Sequence, residues 1–287
     1  MSYFQTCFKL AIPLLPYRDP KILNSIEELP AEFKKRKIST VMLVTDFQLR
    51  TLTRNLEERF LFLAAIPTTA GTGSEVTVTA VITDEKTNYK YPMSDFPLIP
   101  KVAVLDPKVT FTLPKSLTAS TGVDALTHAV EGRNMLMASH LAGGAFSRSY
   151  VGYVHAVAHS LGGAYNIPHG LANSVLLPVV LKRYGPKVYK KLKQLAVAAG
   201  LADKNDSAEL AAKNFIRQIE ELNARLDIPE TLKGIKAEDI PELAKRADKE
   251  ANPIYPVPVL WNARELEQFY YAVMEKNEAD KKSDKNN

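Results

Sequence analysis

The histidines are the residues of this chain whose spacing most clearly suggests chemistry. Asp124 and His128 stand four residues apart in a segment with helical spacing, and His155 and His159 repeat that spacing. Residues four apart lie on one face of a helix, so each pair projects in one direction. His169 follows ten residues after His159. An aspartate with three or four imidazoles suits Fe²⁺ or Zn²⁺ better than Mg²⁺ or Ca²⁺, so the sequence predicts a metal site.

A second interpretation of these histidines stays open. One His-x-x-x-His pattern on an apolar helix is also typical of core packing, and His159 can be a core histidine whose ring nitrogens are satisfied. Small neighbours such as Ala158 and Gly162 permit a close approach between helices, which favours the metal site. His140 lies outside both windows and is interpreted as a structural or surface residue.

A polar turn over residues 67–75 is the second candidate site. It follows an apolar segment, residues 61–69, that predicts a buried parallel strand. Ligands of open α/β sheets bind at the carboxyl ends of strands. The hydroxyls and amides of the turn suit phosphates or ribose. The alternative is an ordinary polar connection between a strand and the next element.

Two residue patterns, one in each part of the chain, predict the strands and helices that position these residues. β-Branched, apolar segments predict strands over residues 38–46, 61–69, 76–83 and 102–106, after a lead-in over residues 1–37. After residue 113 the apolar spacing becomes helical. The predicted helices cover residues 114–131, 133–148, 151–163, 170–184, 187–200, 207–225, 238–250 and 263–276. We therefore expect an α/β part followed by a helical part.

Composition excludes several classes of protein. The 13 glycines all lie between Gly71 and Gly234, so the first 70 residues hold no glycine-rich nucleotide loop. No apolar run reaches the about 18 residues of a membrane span, and no signal peptide is expected. Cys7 is the single cysteine, which favours a reducing, cytoplasmic location. The net charge of +5 and the basic run at residues 182–193 are weak evidence for nucleic acid.

Several long motifs together resemble the iron-containing (group III) alcohol dehydrogenase family. The matching segments are IPTTAGTGSEVT, AVITDEKTNYKYPM, VAVLDPKVT, LTASTGVDALTHAVE and AGGAFSRSYVGYVHAVAHSLGGAYNIPHGLANSVLLP. VMLVTD and EANPIYP are also similar to the family. The matches cover most of residues 38–275.

The resemblance implies the dehydroquinate synthase-like fold of iron-containing alcohol dehydrogenases. Residues 1–113 would form a truncated nucleotide-binding α/β domain with an incomplete Rossmann-like parallel sheet. Residues 114–275 would form an all-α metal-binding domain, and residues 276–287 a disordered tail. The partner would be a small alcohol or aldehyde, with no nucleic acid and no membrane, and relatives suggest a homodimer.

The resemblance also assigns roles residue by residue. The metal ligands fall on Asp124, His128, His155 and His169, with Fe²⁺ expected and Zn²⁺ as the alternative. The catalytic histidine, beside the metal, falls on His159. NAD is the expected cofactor, with NADP as the alternative, and the cofactor-binding positions are Asp46, Thr68, Thr69, Thr77, Thr79 and Lys90. Phe146 matches a wall of the substrate pocket.

The chemistry that the resemblance implies is hydride transfer between a primary or secondary alcohol and NAD(P). The metal would lower the pKa of the alcohol, and His159 would relay the proton. Two segments of the family are missing, however. The GGGS loop that cradles the pyrophosphate is absent between Phe60 and Leu61, and a helical segment is absent near residues 131–133. We therefore expect a retained metal site, impaired cofactor binding and impaired activity.

Three other functions stay open at this point. The chain can be a non-catalytic, metal-binding remnant of such an enzyme. It can be a metallohydrolase, although the HAVAH segment lacks the glutamate of the HExxH motif. Nucleic-acid binding rests only on the basic run, which is more typical of a solvated helix face.

Overall fold

A small parallel sheet forms the first part of the molecule. The computed structural model describes residues 17–38, 62–69, 71–84, 89–110, 113–132, 150–252 and 254–275. Strands β1 (Lys21–Leu23), β2 (Ala64–Ala65) and β5 (Val102–Val104) pair in the order β1-β5-β2, so β5 is central. All of β5 is buried, as expected for an apolar strand that is covered on both faces.

The core of this sheet region is small. Helix α1 (Leu29–Lys35) packs on the sheet through Leu29, which is buried with Leu23 and the valines of β5. Phe33 of the same helix meets Phe62 edge to face, with ring centroids 6.2 Å apart. The lead-in predicted for residues 1–37 thus contains a strand and a helix. The strand predicted over residues 61–69 is shorter than expected, because only Ala64 and Ala65 pair with β5.

An antiparallel hairpin follows the sheet in the chain. Strands β3 (Thr79–Asp84) and β4 (Tyr89–Ser94) pair from Thr79 opposite Ser94 to Asp84 opposite Tyr89. The sequence predicted β3 but not β4. Pro92 lies within β4, and a proline argues against a strand because it cannot donate a backbone hydrogen bond. The residues of β4 therefore do not show a typical strand pattern.

The rest of the described chain is helical. The helices are α2 (Lys115–Gly132), α3 (Tyr153–Tyr165), α4 (His169–Tyr184), α5 (Pro186–Ala198), α6 (Ala208–Arg225), α7 (Ile240–Ala251) and α8 (Ala263–Val273). They share one hydrophobic core, and β4 packs against α3. Their positions agree with the predicted helices to within a few residues. None of the helices in the described ranges is both long and apolar enough to span a bilayer.

Helix α3 lies at the centre of this core. Residues 153–162 are all buried, because apolar and small residues occupy every face of the helix. The two histidines of α3 are therefore held among packed side chains. Of the other predictions, the strand over residues 38–46 (beyond residue 38), the helix over residues 133–148 and the tail lie outside the described residues. The domain boundary near residue 113 stays a prediction.

Helix α4 contains a proline that a neighbouring helix compensates. Pro178 has no N–H, so the carbonyl of Ser174 lacks its usual donor inside the helix. The side chain of Asn223 on α6 donates to this carbonyl at 2.8 Å. The buried polar group is thereby satisfied, and α6 is fixed against α4.

Candidate metal centre and adjoining cavity

Two glycines allow three parts of the chain to meet closely. A Cβ atom on Gly170 would lie 2.6 Å from the carbonyl oxygen of Ser120, so α4 begins directly against the backbone of α2. A Cβ atom on Gly71 would lie 1.8 Å from the carbonyl oxygen of Thr121. The turn after β2 is thus pressed against α2, one helical turn before Asp124. The glycines position the site by close packing.

Three of the predicted metal ligands come together. Asp124 on α2, His155 on α3 and His169 at the start of α4 place one ligand atom each within 4.8 Å of one another. Asp124 Oδ1 lies 3.9 Å from His155 Nε2 and 3.6 Å from His169 Nε2. Metal–ligand bonds of about 2.0–2.2 Å place neighbouring ligand atoms about 3.3–3.6 Å apart in a tetrahedral site. The donor set and its spacing therefore fit a divalent transition metal.

The side-chain amide of Asn173 lies beside these three ligand atoms. Asn173 Nδ2 lies 2.6 Å from Asp124 Oδ1, 3.0 Å from His169 Nε2 and 3.3 Å from His155 Nε2. An amide carries only two N–H donors, so it cannot serve three acceptors equally. Its Oδ1 atom is buried and has no hydrogen-bond partner among the described residues.

The other two predicted members of the cluster differ in status. His128 lies on α2 one turn after Asp124, and its side chain is not among those described. His159 stacks on the ring of His169, with centroids 5.1 Å apart and an angle of 18° between the planes. It lies beside the three ligand atoms and outside the cluster that, among the described residues, fits a metal; its catalytic role stays a prediction.

A buried carboxylate holds His159. Glu250, in the last turn of α7, places Oε1 2.7 Å from His159 Nδ1. The hydroxyl of Tyr255 donates to the same oxygen at 2.8 Å. Both Glu250 and Tyr255 are buried. His159 is therefore fixed in orientation by a carboxylate that is itself fixed.

A cavity of about 430 Å³ opens beside the metal cluster. It lies between the histidines of α3 and α4 on one side and the β3–β4 hairpin on the other. Burial raises the pKa of the Tyr150 phenol, so this hydroxyl at the wall stays protonated near neutral pH. The lining residues are Thr72, Ser74, Thr77, Val78, Thr79, Val81, Ser94, Asp124, Tyr150, Val151, His155, His159, His169, Glu250, Ile254 and Tyr255.

Only some of the predicted cofactor and substrate residues are described at the cavity. Thr77 and Thr79 line the cavity that the histidines share. Thr68 and Thr69 follow β2 at its carboxyl end and are absent from the described lining. Lys90 lies in β4, and its side chain is not among those described. Asp46 and Phe146 lie outside the described residues.

Three residues of the site were not predicted from the sequence. Asn173 follows His169 by four residues, so helical spacing alone would have placed it beside the ligands. Glu250 and Tyr255 lie about 91 and 96 residues after His159. They fall within the segment EANPIYP, which carried the resemblance without an assigned role, and no local pattern links them to His159.

Two family profiles match the chain. The profile described as iron-containing alcohol dehydrogenase matches residues 50–107, and the profile described as Fe-containing alcohol dehydrogenase family, C-terminal, matches residues 132–274. The first match includes β2, β5 and the hairpin, whereas β1 lies before it. The second carries α3, α4 and α7, which supply most of the site.

Individual proteins are similar over most of the chain. An NADPH-dependent butanol dehydrogenase from Clostridium saccharobutylicum is 37% identical over 62% of this chain and 54% of its own length. A 1,3-propanediol dehydrogenase from Citrobacter freundii is 35% identical over 72% of this chain and 64% of its own length. A crystal structure of 1,3-propanediol oxidoreductase superposes with a TM-score of 0.67 at 33% identity, covering 74% of this chain and 65% of that one. The chain thus spans between about half and two thirds of the length of these relatives.

Proposed function

We propose, from the premise that the chain belongs to the iron-containing alcohol dehydrogenase family, that it transfers hydride between a small alcohol and NAD(P). The observation that carries this proposal is a single cavity that is lined both by the metal-ligand cluster and by threonine hydroxyls. The cluster of Asp124, His155 and His169 lies on one side, and the hydroxyls of Thr77 and Thr79 lie on the other. A site for a polarising cation thus faces a site that suits a nucleotide.

The metal would be held by Asp124, His155 and His169, with His128 as the fourth ligand that the family pattern assigns. When bound, it would supply a Lewis acid that polarises the oxygen of the substrate. Fe²⁺ is the proposed ion, and Zn²⁺ is the alternative because both accept imidazole and carboxylate ligands. The burial of Asp124 and His155, 1% and 3% exposed, excludes bulk water from two of the ligands.

The other residues would orient the substrate and move its proton. His159 lines the cavity next to the ligand atoms, so it is placed to take the alcohol proton. The cavity of about 430 Å³ has room for a nicotinamide ring together with a small alcohol. Small primary or secondary alcohols, or the matching aldehydes and ketones, are therefore the proposed substrates.

The cofactor assignment rests on fewer residues. Nicotinamide would supply the hydride acceptor. Thr77 and Thr79 are proposed to contact its ribose or pyrophosphate, with Thr68, Thr69 and Lys90 as further contacts from the family pattern. Asp46 favours NAD, because a carboxylate near the ribose repels a 2′-phosphate. NADP is the alternative, and Phe146 is the proposed wall of the substrate pocket.

Reconstitution of the full chain tests this function. The purified protein, loaded with Fe²⁺ or with Zn²⁺, is given short alcohols with NAD⁺ or NADP⁺, and formation of reduced nicotinamide is followed. We expect weak, metal-dependent turnover, because the GGGS loop is missing, and we expect His155→Ala to abolish it together with metal binding. Lys190→Ala, an exposed residue on α5, is the control that keeps both. Metal binding that survives His155→Ala would contradict the ligand assignment.

A second candidate is a metal-binding protein that does not turn over. It is favoured by the small size of the described parallel sheet, in which β2 has two residues. Calorimetric titration of the metal-loaded chain with NAD⁺ and NADP⁺ separates the candidates. Saturable binding supports the dehydrogenase, and metal binding without cofactor binding supports the second candidate. A cytoplasmic location and a homodimer stay predictions.

A further inference from the structure

The hydrogen bonds around His159 determine more than its orientation. A neutral imidazole carries one proton, and its partner decides which of the two nitrogens holds it. Nδ1 of His159 lies 2.7 Å from Glu250 Oε1. Because the hydroxyl of Tyr255 donates its proton to that same oxygen at 2.8 Å, Oε1 acts as an acceptor. The proton between Glu250 and His159 therefore belongs on Nδ1.

We propose that Glu250, supported by Tyr255, is a positioning residue that holds His159 with its proton on Nδ1 and leaves Nε2 as the acceptor toward the cavity. This inference rests on the proposed function, since it concerns the group that takes the alcohol proton. An imidazole with the proton on Nε2 would present a donor to the alcohol hydroxyl. It could not take the proton without first exchanging its own.

The backbone around Glu250 is built to keep this geometry. Glu250 is 9% exposed and lies in the last turn of α7. Two residues later, Asn252 accepts a hydrogen bond from the hydroxyl of Tyr153 at 3.0 Å and donates to the carbonyl of Trp261 at 2.9 Å. Tyr153 opens the same helix that carries His159. The carboxylate and the imidazole are therefore attached to one rigid frame.

Stacking restricts the ring from its other side. The imidazole of His159 lies nearly parallel to that of His169, at 18° and 5.1 Å, and edge-on to that of His155 at 75° and 5.9 Å. A ring flip would exchange the two nitrogens, and these contacts leave little room for the movement. Glu250 then determines the tautomer, and the stacked rings keep the ring plane.

Nitrogen NMR of the histidine side chains tests the proposal directly. The full chain is labelled with ¹⁵N-histidine and loaded with Zn²⁺, which is diamagnetic, and no cofactor or alcohol is added. His159→Gln identifies the signal pair of His159. We expect the proton on Nδ1 in the unaltered chain and in Tyr255→Phe, which keeps the carboxylate. In Glu250→Ala we expect a shift of the proton toward Nε2.

The spectra separate failure of this proposal from failure of the proposed function. A proton on Nε2 in the unaltered chain would overturn the proposal even if Glu250→Ala fails to fold. An unchanged tautomer in a folded Glu250→Ala variant, with normal Zn²⁺ content, would also overturn it. None of these results depends on turnover.

Kinetics add a second readout if the chain is active. General acid–base catalysis contributes about 10²–10⁴-fold, so we expect kcat of Glu250→Ala to fall by about 10²-fold or more. KM for the alcohol should change less, because Glu250 would act through His159. A raised KM with unchanged kcat would indicate that Glu250 binds substrate and would contradict the positioning role.

Discussion

The helical region and the sheet region of this molecule differ in the size of their hydrophobic cores. In the described part of the helical region, α3 to α8 enclose one continuous core, with large side chains such as Tyr153, Phe269 and Tyr270 fully buried. The core of the sheet region rests on Leu23, Leu29 and two valines of β5. The parallel strands β1, β2 and β5 have two or three paired residues each.

The proposed site draws on both regions. Its metal half consists of the ligands Asp124, His155 and His169, and its cofactor half consists of the hydroxyls of Thr77 and Thr79. Two of the three clustered ligands, His155 and His169, belong to helices of the large core. The hydroxyls proposed for the cofactor belong to the hairpin and the turn before it. The two histidine ligands can therefore keep their geometry when the sheet region loosens. The hydroxyls proposed for the cofactor depend on contacts of the turn and the hairpin with α2 and α3.

The largest expected effect comes from the helical core. Phe269→Ala removes a ring that packs on Trp261 with centroids 5.0 Å apart, so the free energy of unfolding should fall by about 3–5 kcal/mol. Trp261 is the single tryptophan, and its fluorescence reports this region during denaturation by urea.

Leu23→Ala in the sheet region is the matched variant. If the two regions differ as described, Leu23→Ala leaves the midpoint of the Trp261 transition unchanged. An equal shift of that midpoint by both variants would show that the regions unfold as one cooperative unit, and the comparison would fail.

The next effect concerns the proline in α4. Asn223→Ala removes the donor to the Ser174 carbonyl and leaves a buried acceptor without a partner, which should cost about 1–3 kcal/mol. The measurement is again the Trp261 transition in urea. Asn214→Ala, a half-buried residue on the same helix, is the control and should have a smaller effect. Equal losses of unfolding free energy in the two variants would indicate that helix propensity, and not the hydrogen bond to the Ser174 carbonyl, determines the effect.

The sequence predicted the helical region well because its signals are local. Ser207 and Asn262 accept hydrogen bonds from the backbone N–H groups that open α6 and α8, and such caps are readable from residue type. The four-residue spacings of Asp124 with His128 and of His155 with His159 indicated a metal site, and the family resemblance then assigned Asp124, His155 and His169 as ligands. Helical periodicity and the resemblance thus predicted most of the helices that carry the metal ligands.

The sheet region and the support of His159 could not be predicted in this way. Strand β1 is three residues long and is defined by its pairing with β5, about 80 residues later. Glu250 reaches His159 only because α7 packs against α3. Contacts of this kind arise from tertiary packing, which leaves no periodic signal in one sequence.

A smaller effect tests the metal half alone. Asn173 donates to Asp124 at 2.6 Å and lies near both clustered histidines, so Asn173→Ala should weaken Zn²⁺ binding by about 10- to 100-fold, or about 1.4–2.7 kcal/mol. Calorimetric titration of the metal-free chain with Zn²⁺ measures this change. Asn205→Ala, an exposed substitution of the same type, is the control. Unchanged affinity in Asn173→Ala would mean that packing alone orients the ligands.

The smallest expected effect lies in the sheet region and depends on pH. Glu32 of α1 binds Lys21 of β1 and, at 2.6 Å, Arg36, and these hydrogen bonds lower the pKa of its carboxyl below the ordinary 4.5. A carboxyl with a lowered pKa in the folded state stabilises the fold above its unfolded pKa and loses this contribution as pH falls through the folded value. Glu32→Gln should therefore reduce protection from hydrogen exchange in residues 17–38 at neutral pH. The difference in protection between Glu32→Gln and the unaltered chain should become smaller below about pH 4.5.

The same exchange experiment shows whether the two regions are independent. Rates are corrected for the intrinsic effect of pH, and residues 208–225 of α6 serve as the internal reference. Because the partners of Glu32 in the described part of the chain are Lys21 on β1 and Arg36 on α1, protection of α6 should be equal in both chains at every pH. A loss of protection that extends into α6 would mean that the small sheet supports the helical core. The metal half would then depend on the part of the molecule that the sequence predicted least well.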